Sequence, residues 1–202
     1  ATADFSVYLG VRLTGLTTAM GLVVGTIHLA VQIYSVGYMA DDAAKARYFG
    51  VLSLFASAML SVVYAADLVH TFVAWELVGL SSYLLIGFWN FKPSAAQAAK
   101  KAFIMTRFGD LGLFLGLVLL MLAIPTQAGQ PSNLMIATVL EAVSNQSIQG
   151  SFFGSWDKTT VIGLLLLCGI VGKSAQFPLH SWLPDAMEGP TPVSSLLHSA
   201  TM

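Results

Sequence analysis

Five stretches of this chain are long and nearly free of charge, and that pattern leaves one solvent in which they can fold. A helix that crosses a bilayer needs about 20 predominantly apolar residues. Leu13 to Ala40 and Phe49 to Ala66 contain no Asp, Glu, Lys or Arg, Leu68 to Phe91 contains only Glu76, and Ala102 to Ile124 contains Arg107 and Asp110 before it meets Pro125. From Thr159 the chain is apolar again, but it carries Lys173, and Pro178, Pro184, Pro190 and Pro192 then cut it into short pieces. Proline ends or kinks a helix, so the fifth helix is expected to break after Lys173 and a sixth to start near Pro192. Composition agrees: 9% of the 202 residues are charged and 56% are hydrophobic, against about 25% charged in soluble domains. So few charges cannot solvate a soluble surface.

The expected fold class is therefore all-α, a polytopic transmembrane helix bundle with a discontinuous helix after Lys173. Residues 1–202 read as one partial transmembrane domain of about five spans plus the start of a sixth, with 125–158 as an exposed loop rich in Gln, Asn, Ser and Gly. Within that loop Asn133 to Val143 suits a short surface helix. The chain lacks an initiating Met and stops at Met202 inside an apolar-periodic stretch, so it is expected to be a fragment. Basic residues favour the cytoplasmic face. Lys45 and Arg47 lie in the first connection and Lys92, Lys100 and Lys101 in the third, while the second has none and the fourth only Lys158. The first and third connections should thus face the cytoplasm, or the matrix or stroma equivalent, in a bacterial cytoplasmic membrane or a mitochondrial or plastid inner-type membrane.

Several function classes drop out. The net charge is −1 and no basic run is dense enough to track phosphates, so nucleic acid is not an expected partner. The single Cys168 can build neither a disulfide framework nor a Cys-ligated cluster within the chain. Gly172-Lys173-Ser174 resembles the end of a phosphate loop, but the glycine required five residues before Gly172 is Leu167. No His-Glu-x-x-His spacing and no nucleophile elbow is present.

What remains is the ionisable groups inside the spans. Each costs about 2.5 to 3.5 kcal/mol to insert, so each is a functional candidate or a structural ion pair. Glu76 lies about 12 Å into its helix, and Lys173 near the midplane, at 1.5 Å per residue. Burial disfavours the lysine ammonium while a nearby carboxylate holds it, so a movable partner would gate its proton. Arg107 and Asp110, three residues apart near the start of their predicted helix, share one face and can neutralise each other. His198, after Pro192 and among hydroxyl residues, is a proton-relay candidate. His180 is expected to hydrogen-bond a carbonyl freed by Pro178, His28 to make an interhelical hydrogen bond, and His70 to sit at the interface. Broken helices at membrane depth mark ion paths in transporters, and Lys173 stands just before the break. These residues alone describe a transport protein for protons or small cations.

Two strings go further. Trp75-Glu76-Leu77-Val78-Gly79-Leu80-Ser81-Ser82-Tyr83-Leu84-Leu85-Ile86-Gly87-Phe88-Trp89 and the run from Gly172 through Lys173, His180 and Asp185 to Ser194 resemble the glutamate helix and the discontinuous lysine helix of the large antiporter-like subunit of proton-pumping NADH:quinone oxidoreductase, respiratory complex I. Ala102-Phe103 with Arg107-Phe108-Gly109-Asp110, and His28 to Met39, resemble neighbouring helices of that subunit. The resemblance implies that Glu76 pairs with Lys173, that Lys173 stores and releases a proton, that His198 relays it onward, and that Arg107 and Asp110 affect pumping. It also implies no cofactor and no catalytic redox site in this chain: NADH, FMN, iron-sulfur clusters and quinone belong to partner subunits. The expected partners are those membrane subunits, the lipid bilayer and protons, and the expected activity is that of a non-redox subunit of a translocase. Multisubunit cation/proton antiporters, membrane hydrogenases and carbon-uptake complexes share the module, and a purely structural subunit is the remaining alternative. Where the family often has Leu-Asp-Gly-Leu near its first helix, this chain has Leu13-Thr14-Gly15-Leu16.

Overall fold

The computed structural model describes residues 7, 9–124, 134–152 and 156–200, with side chains for all of these except 152 and 197–200. Seven α-helices lie among the described residues: α1 (Gly15–Tyr38), α2 (Lys45–Tyr64), α3 (Leu68–Ile86), α4 (Pro93–Ala123), α5 (Ile136–Ser144), α6 (Lys158–Lys173) and α7 (Thr191–Ala200). The two short strands β1 (Ser151–Phe152) and β2 (Trp156–Asp157) pair as an antiparallel hairpin. Helices α1 to α4 are each long and apolar enough to cross a membrane. With the broken α6 they make an all-α, multi-pass membrane bundle. Its main core joins Leu52 and Phe55 of α2, Leu85 of α3, Ala98 and Ala102 of α4, and Val193 and Leu196 of α7.

The caps follow from local chemistry. The Thr14 hydroxyl accepts from Thr17 N–H while Thr17 Oγ1 accepts from Thr14 N–H, a reciprocal box that starts α1. The Asp67 carboxylate accepts from Val69 N–H at 2.7 Å and starts α3. Helix α4 starts at Pro93, not near Ala102 as the polar letters suggest, because proline fits the first helical turn and the Ser-Ala-Ala-Gln-Ala-Ala-Lys-Lys run is a good helix former. Its 31 residues span roughly 46 Å at 1.5 Å per residue, longer than the hydrocarbon core.

Both ends of the bundle are tied. At one end the Trp89 indole N–H donates to Asp42 Oδ2 at 3.1 Å, and Arg47 donates to the Phe88 carbonyl at 2.8 Å, which joins the first and third connections. Lys101 bonds Asp185 at 2.6 Å and brings the segment after α6 to the same end. The basic residues Lys45, Arg47, Lys92, Lys100 and Lys101 thus share one face of the bundle. At the other end three extended stretches lie side by side. Arg12 N–H donates to Tyr64 O at 2.8 Å and Ala66 N–H to Gly10 O at 3.1 Å, while Leu68 N–H donates to Leu134 O and Ile136 N–H to Ala66 O, both at 2.9 Å.

The stretch expected as an exposed loop is exposed at most of its described residues and carries α5 where a short surface helix is expected, but three of its described side chains pack inward. Leu134, Ala142 and Ile148 are buried against Leu117, Leu120 and Ile124 of α4 and Ile162 of α6. Leu134 and Ile148 flank α5 and turn in against α4, while Leu140 and Val143 of α5 stay exposed.

The fold places the candidate site through one seam. Helices α4 and α6 meet through glycines: a Cβ on Gly109 would stand 2.7 Å from the Cys168 carbonyl oxygen and 3.0 Å from Gly172 Cα, and one on Gly169 would stand 2.9 Å from Leu113 Cβ. Backbones approach this closely only where side chains are absent, the usual means of joining helices in lipid. Asp110 and Lys173, each one residue beyond a seam glycine, are fixed at the same level.

Candidate functional site

Helix α6 ends at Lys173 by hydrogen bonding rather than by proline. Ala175 adopts φ 49°, and Gln176 N–H reaches back to the Val171 carbonyl at 3.0 Å, the bond that closes a helix with a left-handed residue. Alanine in that region costs about 1 to 2 kcal/mol, so the stop is held by its surroundings. The Trp182 indole N–H donates to the Gly172 carbonyl at 3.1 Å from within the broken segment and satisfies one of the carbonyls that a helix end leaves open. Lys173 occupies the last turn, where the negative end of the helix dipole favours a cation.

Around it α3 and α4 supply the rest. The Lys173 ammonium donates to the Trp75 carbonyl and stands 4.9 Å from the Trp75 ring centroid, a cation–π contact. The Trp75 indole N–H donates to Asp110 Oδ1 at 2.7 Å. Arg107 Nη1 lies 3.5 Å from Asp110 Oδ2, bonds the Glu76 carboxylate, and covers Phe103 at 4.5 Å. Gly79 permits this convergence, since a Cβ there would meet Lys173 Nζ at 3.2 Å and Arg107 Nη2 at 3.4 Å. Asp110 is 3% exposed, while the Arg107 and Glu76 side chains are each 28% exposed.

The cluster thus holds two carboxylates, a guanidinium and an ammonium, and it is charge-balanced. Balance is the requirement for ionised groups away from water, because an unmatched one is far more costly. A cavity of about 40 Å³ adjoins Lys173 and is lined by Gly79, Ser82, Tyr83, Thr106 and Trp182. One water needs about 10 to 15 Å³ of such space, so there is room for roughly three. The site can hold a proton on an amine, present two acids to it, and admit water beside it.

Of the residues singled out in the sequence, Glu76, Arg107, Asp110 and Lys173 come together. Their pairing differs from the implied one: Glu76 bonds Arg107 rather than Lys173, because Arg107 reaches across from the adjacent helix. Arg107 and Asp110 meet as their spacing requires, but they stand at the middle of α4 rather than near its start, since α4 begins nine residues before Ala102. His198 lies on α7, with its side chain outside the described set. His180 is exposed and stacks on Phe177 at 5.9 Å instead of bonding a freed carbonyl. The ring of His28 bonds Gln32 one turn along its own helix, at 2.8 Å, rather than a neighbouring helix. His70 is the third residue of α3, half-buried near the helix end where it is expected, and its buried Nδ1 has no hydrogen-bond partner. Trp75 and Gly79 are the functional positions that residue-type reasoning passed over. The available signal was an indole N–H inside an apolar span, which must find an acceptor.

Residues 65–202 match the family described as NADH:quinone oxidoreductase/Mrp antiporter, TM, and residues 1–49 match the N-terminus of NADH-ubiquinone oxidoreductase (complex I) chain 5. The chain is 44% identical to NAD(P)H-quinone oxidoreductase chain 5 of a Picosynechococcus cyanobacterium over 100% of its own length and 29% of that protein's. It is 48% identical to the F(420)H(2) dehydrogenase subunit L of Methanosarcina mazei over 93% of its length and 29% of that protein's. The solved Mrp complex from a Dietzia species contains a chain that is 32% identical, with a TM-score of 0.79 over 95% of this chain and 20% of that one. The chain therefore spans less than a third of the length of these relatives.

Proposed function

The chain belongs to the NADH:quinone oxidoreductase/Mrp antiporter transmembrane family, and on that premise we propose that it is part of the proton-translocating membrane subunit of an NADH:quinone oxidoreductase. The observation that carries this reading is the charge-balanced set of Glu76, Arg107, Asp110 and Lys173, placed within the bundle beside a cavity that has room for water. Lys173 is the group that takes up and gives up a proton. Asp110 and the Trp75 carbonyl stabilise its ammonium, and Arg107 divides its own charge between Asp110 and Glu76. A shift of Arg107 toward Glu76 would strip positive charge from Asp110 and leave that carboxylate freer to hold the Lys173 proton. The opposite shift would favour release, by the ordinary rule for neighbouring charges. His198, on α7 after the break, is the proposed relay toward later parts of the protein.

Electron transfer belongs in this reading to partner subunits, which would hold NADH, FMN, iron-sulfur clusters and quinone. The chain itself contributes to the translocase without a redox step. That one relative is named for F(420)H(2) rather than NAD(P)H supports a module that serves more than one electron donor. The likeness to the Mrp complex favours cation/proton antiport as the second reading. The test is proton uptake per electron in sealed vesicles that hold the assembled complex, with Glu76→Gln and Lys173→Met combined. Lost uptake with electron transfer and assembly retained supports the proposal. Unchanged uptake per electron assigns these charges a structural role, and uptake that depends on a sodium gradient supports the antiport reading.

A further inference from the structure

The contacts around Trp75 carry an inference about how the lysine is tuned, and it rests on the reading of Lys173 as the proton carrier. Trp75 touches both charged groups of the cluster centre. Its indole N–H occupies Asp110 Oδ1 at 2.7 Å, its carbonyl accepts from the Lys173 ammonium, and its ring face stands 4.9 Å from that same nitrogen. Asp110 Oδ2 is meanwhile approached by Arg107 at 3.5 Å. Both oxygens of this buried carboxylate are therefore engaged, and among the described residues no ion pair within 4.0 Å joins Asp110 to Lys173, although the two charges act on each other.

We infer that Trp75 is a positioning residue that keeps the Asp110 carboxylate and the Lys173 ammonium within each other's field but out of direct contact. The indole suits the task because its N–H is a donor only and stays protonated throughout the working range, so it occupies the carboxylate without competing for the proton in transit. The ring and the carbonyl offer the ammonium two neutral contacts, neither of which accepts its proton. A direct carboxylate contact would instead hold the proton on the amine. The groups that face Lys173 or share its cavity are Trp75, Gly79 and Tyr83 from α3, Arg107 and Asp110 from α4, and Trp182 from the segment after α6; Glu76 acts through Arg107.

The test measures protons translocated per electron across pH in the assembled complex, with Trp75→Phe, Trp75→Gln and Lys173→Met. Trp75→Phe keeps a ring for the ammonium but frees Asp110 Oδ1, so the alkaline limb of its profile should move to higher pH by about one unit, the low end of the effect of a carboxylate brought next to a cation. Trp75→Gln keeps an N–H donor but loses the ring that favours the ammonium, so its profile should not move to higher pH, even if the ratio falls. A Trp75→Phe profile that superimposes on wild type, or that drops equally at every pH, overturns the inference. Normalising per electron removes differences in assembly. Lys173→Met reads the premise separately: an unchanged ratio there refutes the proton-carrier reading, whereas a lost ratio with an unmoved Trp75→Phe profile refutes the role of Trp75 alone.

Discussion

Replacing Gly109 by alanine adds one methyl group where α4 and α6 touch. Its Cβ would lie 2.7 Å from the Cys168 carbonyl oxygen and 3.0 Å from Gly172 Cα, where ordinary contact begins at 3.4 Å. The helices must part by about 0.7 Å at this point, and overpacking of that kind costs about 1 to 3 kcal/mol. Because backbone atoms are what the methyl meets, no rotamer change relieves it. The same movement carries Gly172, and with it Lys173, away from Trp75 and Asp110. Gly163→Ala is the matched control, on α6 with nothing within 4 Å of its added Cβ. Thermal retention of the intact complex, followed by size-exclusion fluorescence, should fall for Gly109→Ala and hold for Gly163→Ala. Protons per electron should fall in the same order. Equal melting of the two variants would refute the claim that the glycine seam sets the position of the site.

Two further expectations follow from the same contacts. Arg107→Gln removes the cation that Glu76 and Asp110 share, so it should destabilise the bundle by about 2 kcal/mol, below the 3 to 5 kcal/mol of a fully buried pair because Arg107 and Glu76 are partly exposed; adding Glu76→Gln should recover part of the loss, measured by thermal melting. At the basic end, the Trp89 indole N–H and then the Ala44 backbone N–H hold the Asp42 carboxyl below its ordinary value of 3.8. A carboxyl whose folded value is lowered contributes stability above its unfolded value and loses it as pH falls through the folded one. Trp89 fluorescence should therefore report loosening of this connection below about pH 3.8, and Asp42→Asn should abolish that transition.

Much of the fold was legible because apolar length and prolines are read directly from letters. The spans have physical causes that act locally, and the prolines mark the broken segment, although α6 itself closes through Ala175 and Gln176. The start of α4 was misplaced because lysines and glutamines on a helix that extends past the hydrocarbon look like a loop. The burial of Leu134 and Ile148 within an otherwise exposed stretch was not legible, because they become core only once α5 has folded back. At the site, residue type identified Glu76, Arg107, Asp110 and Lys173, since charge inside an apolar span is conspicuous. Their partners were not legible, because which carboxylate an arginine reaches depends on how two helices cross. Trp75 escaped notice for a related reason: an aromatic in an apolar helix looks like packing until its N–H is seen to face a carboxylate.

The central claim is that Lys173 carries a proton rather than only a charge, and Lys173→Arg separates the two. A guanidinium keeps the positive charge and its hydrogen bonds but does not deprotonate in a protein. In sealed vesicles with the assembled complex, the account predicts normal assembly and electron transfer with protons per electron clearly reduced. An unchanged ratio in Lys173→Arg would contradict it.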